Sequence, residues 1–441
     1  MYKYNKQLVE DGAFDVIVVG AGSAGSTAAI AATRSGATTL LLERLPFLGG
    51  TSTAVLDTFY GFYTPGSQSK KVVGGIADEV IAGLKRYNAC LERPNTFGAG
   101  TGITYHPEYL KVVWEQLVRA SGCRILLNAW VQDVIKEGDR VSKLVVATKR
   151  GLIHLKAKYI IDTSGDADIC HYAGLPYELA GKESPAQTLT TTFKMVNVDM
   201  GRRKAVSKPE FNALLAKAAE TGLYDLPRKE GSDHITPVPH TTATIMTRLK
   251  SYGERDGETI NATDPAFLSD AEMEGRLQAL EYIRFLKEWV PGYEQAEMGS
   301  FGVHIGIRET RRIHGLYRLN STEVLEARKF EDQIGLCGAP MEDHHDGADT
   351  RWQYLPDGQC VGIPYRTLLP QGADNVWVAG RCFSADHTAH SSVRSMGQCM
   401  AMGHAAGVAA GLAVKGNQPA QAIDIQVLRK QLRSEGAIID E

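Results

Sequence analysis

FDVIVVGAGSAGSTAAIAATRSGATTLLLER, residues 14–44, carries the pattern that decides the fold of this 441-residue chain. Val16–Val19 is a short apolar, β-branched run, which is typical of a buried parallel strand. The turn GAGSAG, residues 20–25, follows at once, and the small residues from Ser26 to Ser35 favour a helix. A second apolar run, Thr38–Leu42, comes next. This order predicts a β–α–β unit.

The glycines of the turn have separate purposes in such a unit. Gly20 allows a tight turn, Gly22 lets backbone approach a pyrophosphate, and Gly25 lets the helix pack closely on the strand. The free N–H groups at the start of the helix would face the phosphates. Glu43 lies about 20 residues after the turn, where an acid holds a ribose hydroxyl. The pattern therefore predicts a dinucleotide site, although it does not say which dinucleotide.

Composition excludes several other classes of protein. The chain is 43% hydrophobic and 22% charged, which is ordinary for a globular protein, and its length favours two domains. A net charge of −3 gives no electrostatic reason to expect a nucleic-acid partner, and no apolar run reaches the ~18 residues of a membrane helix. The polar N-terminus and the seven scattered cysteines, without a CxxC motif, favour reduced thiols and a cytoplasmic location.

Three later segments of the chain are also expected to lie near the dinucleotide. Gly49-Gly50-Thr51-Ser52 follows soon after Glu43, although an ordinary glycine turn would look the same. The run from Tyr159 to Asp168 predicts a strand that ends in a small, polar turn. Near the C-terminus, Asn375–Ala379 predicts another strand and Met396–Val414 a long helix.

These motifs give the chain a family resemblance that extends from about residue 14 to residue 415. The chain resembles the FAD-dependent oxidoreductases of the two-dinucleotide-binding-domain type and, more narrowly, the family related to fumarate reductase and succinate dehydrogenase flavoproteins. The motifs that carry the resemblance are VIVVGAGSAGSTAA, LLLERLPFLGGTST, IDTSGDADICHYAG, GIRETRRIHG, VGIPYRTLLP and WVAGRCFSADHTAHSSVRSMGQCMAMGHAAGVAA.

The resemblance implies an extended FAD whose flavin ring lies near the C-terminal helix. The residues that it implies as cofactor contacts are Gly20, Gly22, Ser23, Ala24 and Gly25 at the pyrophosphate, Glu43 and Arg44 at the adenosine, Val131 at the adenine, Gly49, Gly50, Thr51 and Ser52 towards the flavin, Ser164 and Gly165 in the polar turn, Gly380 and Arg381 at the ribityl chain, and Met396, Gly397 and Gln398 at the flavin.

Two departures from relatives refine this expectation. Residues 45–48, before the double glycine, contain no histidine or cysteine, so we expect FAD to be bound non-covalently. The chain has no second strand–GxGxxG–helix pattern, and Gly98–Gly102 lacks a preceding apolar strand, so we interpret it as a mobile loop. A dedicated second domain for NADH or NADPH is therefore not expected.

The predicted fold class is α/β, with a Rossmann-like FAD-binding domain and an inserted α+β substrate domain. The FAD-binding domain is predicted to comprise residues 1–169 and 372–441, and the substrate domain residues 170–371. Within the insertion, residues 207–223 have helical spacing, and residues 269–292 resemble a helix that begins with a capping box at Ser269 and Glu272.

Candidate catalytic residues follow from the polar groups near the expected flavin. His387 and His390 are three residues apart, so a helical turn would place both on one face, and either could exchange a substrate proton near neutral pH. One of them could instead cap the helix or pack structurally. Arg394 could bind an anionic substrate, offset the charge of reduced flavin or pair with an acid. His304, which shares a strand face with Arg308, and Tyr365 are further candidates.

The run Asp343-His344-His345-Asp346 looks like a metal motif, but the rest of a ligand set is not visible. We expect a solvated loop or a substrate lid there, and no metal.

The function that these observations favour is hydride transfer between the flavin N5 and a small polar substrate that bears a hydroxyl or a carboxylate. The alternatives are a flavin-dependent enzyme without net redox chemistry, such as a hydratase or isomerase, and a nucleotide-binding protein that is not an enzyme. Substrate, electron acceptor and oligomeric state are left open by the sequence.

Overall fold

The computed structural model describes the backbone of residues 9–95, 98–345, 347 and 349–441. Its helices are α1 (Ser23–Arg34), α2 (Thr51–Ala54), α3 (Ile76–Arg86), α4 (Pro107–Ala120), α5 (Asp168–Tyr172), α6 (Met200–Ala205), α7 (Lys208–Glu220), α8 (Pro265–Trp289), α9 (Ser321–Leu325), α10 (His387–Val393), α11 (Met396–Gly416) and α12 (Ile425–Ser434). Its strands are β1 (Val9–Val19), β2 (Thr39–Leu42), β3 (Thr58–Phe59), β4 (Cys90–Pro94), β5 (Thr101–Tyr105), β6 (Arg124–Leu126), β7 (Trp130–Glu137), β8 (Arg140–Thr148), β9 (Gly151–Asp162), β10 (Tyr177–Leu179), β11 (Phe193–Val196), β12 (Ser232–Ile235), β13 (Thr242–Ile245), β14 (Tyr252–Arg255), β15 (Glu258–Asn261), β16 (Glu297–Phe301), β17 (Arg311–Ile313), β18 (Gln333–Cys337), β19 (Met341–Asp343), β20 (Arg351–Gln353), β21 (Val361–Pro364) and β22 (Val376–Val378).

A parallel sheet forms the centre of the molecule and confirms the predicted Rossmann-like α/β class. Strands β6, β2, β1, β9 and β22 pair in parallel in that order, and the antiparallel strands β8 and β7 extend the sheet from the first half of β9. All four residues of β2 are buried, and so are Val16–Val19 of β1. A strand that is covered on both faces needs the continuous apolar run that the sequence shows.

Helices α1 and α11 pack against each other with little room between their backbones. A Cβ atom added at Gly403 would fall on the carbonyl oxygen of Ala24, and one added at Gly407 would fall on that of Ala28. The small residues of α1 therefore let α11 lie directly against it. This contact carries the start of α11 to the same end of the sheet as the start of α1.

A second apolar cluster lies within residues 193–296, where α7 and α8 cover β11 and its neighbours. Strands β12, β13, β11 and β16 form an antiparallel sheet in that region. The buried residues between Leu319 and Leu369, in contrast, belong to the cluster that contains α1 and α11. The insertion predicted at 170–371 thus has an apolar core of its own in only part of its length, and the exact domain boundaries stay a prediction.

The structure differs from the predicted boundaries of one helix and one loop. Helix α8 begins after Asp264, whose side chain accepts a hydrogen bond from the Phe267 amide, so the start predicted at Ser269 is wrong. Proline at the first helical position explains the earlier start. In the predicted glycine-rich loop, Gly102 already belongs to β5. No helix among the described residues is both long enough and apolar enough to cross a membrane.

Candidate functional site

A cavity of about 310 Å³ opens at the carboxyl ends of β1, β9 and β22. In open parallel sheets, ligands bind outside the carboxyl ends of the strands, because the loops and helix N-termini converge there. The predicted cofactor residues that line the cavity are Gly20, Gly22, Ser23, Ala24, Glu43, Arg44, Gly50, Thr51, Val131, Ser164, Gly165, Gly380, Arg381 and Met396. Residues far apart in the chain are thus brought to one wall.

The glycines of the β1–α1 turn differ in what surrounds them. Gly20 has a φ of +92°, and a Cβ there would lie 2.6 Å from the carbonyl oxygen of Thr163. A Cβ at Gly25 would overlap the carbonyl oxygen of Gly20, so Gly25 lies behind the cavity and lets α1 pack on the turn. A Cβ at Gly22 would meet no protein atom within 4 Å. Gly22 therefore faces open space, as an approach to a ligand requires.

Glu43 is buried at the end of β2 and holds the turn in place. Its Oε2 accepts a hydrogen bond from the Ala21 amide (2.7 Å), and its Oε1 accepts one from the Leu45 amide (2.9 Å). Burial raises the pKa of this carboxyl, although the amide donors oppose the shift. Each carboxylate oxygen keeps a further acceptor position, so binding of a ribose hydroxyl is compatible with both hydrogen bonds.

The double glycine lies directly against this turn. The Gly49 amide donates to the Ala21 carbonyl oxygen (2.7 Å), and a Cβ at Gly50 would lie 2.8 Å from the Gly22 Cα. Gly50 and Thr51 line the cavity, whereas Gly49 and Ser52 lie behind them, with the Ser52 hydroxyl donating to the Gly49 carbonyl oxygen. Only part of this segment can therefore contact a ligand.

The polar turn after β9 carries two acids with different surroundings. Asp166 pairs with Arg381 (2.8 Å), and its pKa is lowered even though burial opposes this. Asp168 lines the cavity, and burial, together with the charges of Asp166 and Asp162, raises its pKa to about 7. Arg311 approaches Asp168 at 3.2 Å. Asp168 is thus an acid that titrates near neutral pH on the cavity wall.

The start of α11 also lines the cavity, but not with every residue that was predicted. Met396 faces the cavity. The Gly397 amide donates to the Tyr60 carbonyl oxygen (3.1 Å), and the Gln398 side chain donates to Gly61 and Leu336. Both residues are thus hydrogen-bonded to the Tyr60–Gly61 segment, and neither lines the cavity. This corrects the expectation that they face the flavin.

His387 and His390 lie on one face of α10, as their spacing predicts, but that face does not line the cavity. His387 Nδ1 is 2.9 Å from Glu309 Oε2, and its Nε2 is 3.3 Å from Asp343 Oδ1. His390 is fully buried, with Nε2 2.6 Å from the Arg381 carbonyl oxygen. Burial holds the pKa of His390 well below its usual value. The expectation that one of these rings meets substrate is therefore corrected.

His304 does line the cavity, and its ring has a defined tautomer. Its Nδ1 is 2.7 Å from the Ile305 carbonyl oxygen, which can only accept, so Nδ1 carries the proton and Nε2 has a free lone pair. Burial, with the charges of Arg44 and Arg381, lowers the pKa of His304. The imidazole is thus neutral and able to accept a proton at Nε2 near pH 7.

Tyr365 is corrected as well. Its side chain is buried, its hydroxyl donates to the Ala420 carbonyl oxygen (2.8 Å) and accepts from Trp377 Nε1 (2.7 Å), and it does not line the cavity. Burial raises the pKa of the Tyr365 hydroxyl, so this side chain is a neutral core residue.

Several cavity residues were missed by sequence reasoning. Arg228, Glu342 and His344 face the cavity beside Arg308 and Arg394. His344 is buried, and its Nε2 lies 3.0 Å from Glu342 Oε1. His344 belongs to the run that was predicted to be a solvated loop or a substrate lid, and it lines the cavity. Asp346, the last residue of that run, lies outside the described residues. Among the residues described, no group of three or more histidine, cysteine, aspartate or glutamate side chains is placed to hold a metal.

Arg394 is held by a buried relay that reaches α10. Its Nη2 donates to Gln187 Oε1 (2.8 Å), and the backbone N–H of Gln187 donates to Glu309 Oε2 (3.1 Å). Glu309 in turn pairs with Arg312 and His387. The histidine cluster that the sequence singled out therefore supports Arg394 indirectly, through Glu309 and Gln187.

Comparison with known proteins gives a family and a fold. The model of the family described as FAD dependent oxidoreductase matches residues 15–432. A digeranylgeranylglycerophospholipid reductase of Picrophilus torridus is 28% identical over 194 residues, which are 42% of this chain and 47% of that protein. A thiamine thiazole synthase of Methanococcus vannielii is 33% identical over 185 residues, 39% of this chain and 64% of that protein. The chain spans about half the length of the archaeal reductases that it matches.

Solved structures support the fold alone. The aromatic hydroxylase CabE matches with a TM-score of 0.50 at 14% identity, covering 96% of this chain and 68% of that chain. The flavin-dependent brominase Bmp2 matches with a TM-score of 0.50 at 13% identity, covering 96% of this chain and 84% of that chain. The narrower relation predicted to fumarate reductase and succinate dehydrogenase flavoproteins stays a prediction.

Proposed function

Because this chain belongs to the family of FAD-dependent oxidoreductases, we propose that it transfers hydride between its flavin and a small polar substrate that bears a hydroxyl or a carboxylate. The observation that carries the proposal is a single cavity whose wall includes both the glycine turn of β1–α1 and polar side chains such as His304, Arg308 and Arg394. FAD, when bound, supplies the hydride acceptor or donor.

The residues proposed to hold FAD are those that line the cavity. The α1 N-terminus, with Gly22 at its start, suits the pyrophosphate because its amides have no intrahelical acceptors. Glu43 suits a ribose hydroxyl. Attachment is proposed to be non-covalent, because burial raises the pKa of Cys399, the cysteine on the cavity wall, to about 12 and keeps it a thiol. Acid precipitation should then release the flavin completely.

For proton exchange with the substrate we propose His304. Its free Nε2 can take a proton while the Ile305 carbonyl oxygen holds the ring through Nδ1. His344 is less suitable, since its two ring nitrogens are 3.0 Å from Glu342 and 3.3 Å from Thr350. Glu342 itself, with a pKa of about 2, is too weak a base.

Rapid-mixing kinetics test this assignment. His304→Gln should keep its flavin and slow flavin reduction at saturating substrate by about 10²–10⁴-fold, the usual contribution of a general base. His387→Ala should change that rate much less, because its ring is outside the cavity. His314→Ala, at an exposed position, is the matched control. Reduction of His304→Gln at the parent rate would exclude His304 as the base.

The substrate is sought by anaerobic screening of the yellow protein against small hydroxy and carboxylic acids. A true substrate should bleach the flavin absorbance in a single turnover. Turnover with lasting yellow colour would instead indicate flavin chemistry without net redox. A cytoplasmic location is also part of the proposal.

A further inference from the structure

The long helix α8 carries a row of large apolar side chains on its outer face. Met273, Leu277 and Leu280 follow one another at intervals of four and three residues, so they lie on one side of the helix. They are 55%, 67% and 47% exposed, respectively. Single exposed apolar residues are normal on a protein surface, whereas a contiguous apolar patch marks an interaction site. We call these three residues the α8 stripe.

The opposite face of α8 is fixed in the fold, so the α8 stripe cannot turn inwards. A Cβ at Gly275 would overlap the Thr191 hydroxyl, and the Gln278 side chain accepts a hydrogen bond from the Arg248 amide (2.7 Å). Phe285 belongs to the apolar cluster that α8 shares with β11. The outward direction of the α8 stripe is therefore set by packing along the length of the helix.

The apolar surface continues beyond the α8 stripe, towards the C-terminal end of the helix. Arg284 lies one turn after Leu280, and its guanidinium group stacks on the ring of Tyr224, 4.3 Å from the ring centroid. It also donates to the carbonyl oxygen of Leu223, whose residue is 70% exposed. Leu223 therefore extends the exposed apolar surface next to Arg284.

The two ends of this face carry opposite charges. Asp270 lies three residues before Met273, and Lys287 lies three residues after Arg284. Positions 270, 273, 277, 280, 284 and 287 alternate intervals of three and four, which is the spacing of a helix seam. Lys287 pairs with exposed Glu297 (2.9 Å), and an ion pair on the surface contributes little. One end of the seam is thus acidic and the other is basic.

Charged residues also flank the α8 stripe, and most of them are paired within the chain. Arg276 is 3.1 Å from Glu272, and Arg284 is 2.7 Å from Glu281. Glu274 is exposed at the edge. Charges at the rim of an interface stay in contact with water and contribute little, so the charges within the seam decide how two such helices would pair.

We propose that α8 forms the interface of a two-fold symmetric dimer, in which it lies antiparallel to α8 of a second copy of this chain. Leu277 then lies opposite Leu280 of the partner subunit, and Asp270 lies opposite Lys287 of the partner subunit. The two-fold axis repeats both contacts. A parallel pairing would place Asp270, Arg284 and Lys287 each beside its own copy, which gives three repulsive contacts. This interface is independent of the hydride-transfer function proposed above.

The length of the seam sets the expected strength of the dimer. Residues 270–287 span about 26 Å at the helical rise of 1.5 Å per residue. One helix pair of that length is smaller than a standard interface, which buries about 1,600 Å². We therefore expect a dimer that dissociates on dilution, with a Kd on the order of micromolar.

Sedimentation velocity of the FAD-bound protein tests this expectation. The mass should rise from 48.0 kDa towards twice that value as the concentration increases. The series should extend from about 1 to about 100 μM, which brackets the expected Kd. A protein that stays monomeric throughout overturns the proposal, whether or not any variant folds. A monomer that binds phosphatidylcholine vesicles would show instead that α8 meets a membrane surface.

Substitutions in the α8 stripe locate the interface. Leu277→Glu and Leu280→Glu should each weaken dimerisation by about tenfold or more, because a carboxylate would be buried in an apolar contact. Leu316→Glu is the matched control, since Leu316 is 46% exposed and lies outside α8. Thermal unfolding checks that each variant is folded. Unchanged dimerisation of folded Leu277→Glu and Leu280→Glu would place the contact elsewhere and overturn the proposal.

A charge exchange tests the antiparallel orientation. Asp270→Lys and Lys287→Asp should each weaken the dimer by about threefold or more, because two attractive pairs become repulsive. The double variant with both substitutions should regain the parent affinity, since opposite charges meet again. A parallel pairing predicts no recovery. A double variant as weak as the single ones, or single variants with the parent affinity, would therefore overturn the antiparallel interface.

Discussion

Gly22 differs from its neighbours in the turn because its side-chain direction points into the cavity rather than into protein. Gly20 and Gly25 are required by backbone that lies against them, so substitution there strains the fold itself. At Gly22 a side chain would meet open space, and only a ligand would be excluded. One glycine motif thus contains residues for folding and a residue for binding.

Gly22→Val should therefore lose FAD while it keeps its fold. The added side chain would push phosphate away from the α1 N-terminus, and we expect FAD affinity to fall by about tenfold or more, as loss of charge-assisted amide contacts predicts. Equilibrium dialysis with FAD gives the affinity, and thermal unfolding of the FAD-free protein checks the fold. Full FAD occupancy in Gly22→Val would contradict the placement of the pyrophosphate.

Asp168 should make FAD binding depend on pH. Its pKa of about 7 lies above the value of 3.8 for a free side chain, so protonation stabilises the folded protein, and this stabilisation is lost as pH rises from about 4 to 7. FAD carries two phosphate charges, and an ionised Asp168 on the cavity wall opposes them. FAD affinity should therefore fall between pH 6 and pH 8.

Asp168→Asn should remove most of that pH dependence and strengthen binding at pH 8. Fluorescence quenching of FAD at pH 6, 7 and 8 measures the effect, with Asp199→Asn as a control at a helix cap outside the cavity. A parent affinity that is flat over this range would show that Asp168 is not near the bound phosphates.

At the scale of elements, the contact between α1 and α11 places the N-termini of both helices at the cavity. Gly403 and Gly407 of α11 lie against Ala24 and Ala28 of α1, and Gly411 lies against Ser35, the residue after α1, with no room for a Cβ at any of the three glycines. Each glycine in α11 lowers the stability of the helix, and the close contact with α1 compensates for this loss.

Gly407→Ala should destabilise the protein by about 1–3 kcal/mol, the usual effect of an extra methyl in a tightly packed core, although alanine favours a helix. Urea unfolding measures the change. Gly253→Ala is the matched control, because a Cβ there would lie 3.6 Å from its nearest neighbour. A gain in stability for Gly407→Ala would show that α1 and α11 are farther apart at this position than the structure places them.

At the scale of the whole molecule, the cavity is enclosed by the parallel sheet on one side and by residues 228–352 on the other. The single GxGxxG turn of the sequence belongs to this cavity. The sequence has no second strand–GxGxxG–helix pattern, which is the usual binding site of a second dinucleotide. The architecture therefore favours a small substrate over NADH or NADPH as the reductant.

NADH and NADPH should reduce the flavin slowly and without saturation. Anaerobic stopped-flow mixing, with flavin absorbance as the signal and dithionite as the positive control, tests this prediction. Rapid, saturable and stoichiometric bleaching by either nucleotide would reveal a nucleotide-binding site that the sequence pattern does not predict.

The sequence by itself predicted the β1–α1–β2 unit, its parallel strands and a dinucleotide as the class of cofactor; the choice of FAD came from the family resemblance. This was possible because the glycine turn, the apolar runs and Glu43 act within one contiguous segment, where spacing fixes geometry. The strands β9 and β22 were predicted for the same reason, since each apolar run leads directly into its polar turn.

Only the tertiary structure decided which polar side chains reach the cavity. The spacing of His387 and His390 predicts a shared helix face but not the direction of that face, which packing turned towards Glu309. Arg228 and His344 are more than 100 residues apart and have no common motif, so nothing local could join them to Arg394. Side-chain direction and long-range contact depend on how elements pack, and the sequence pattern of one element does not contain that information.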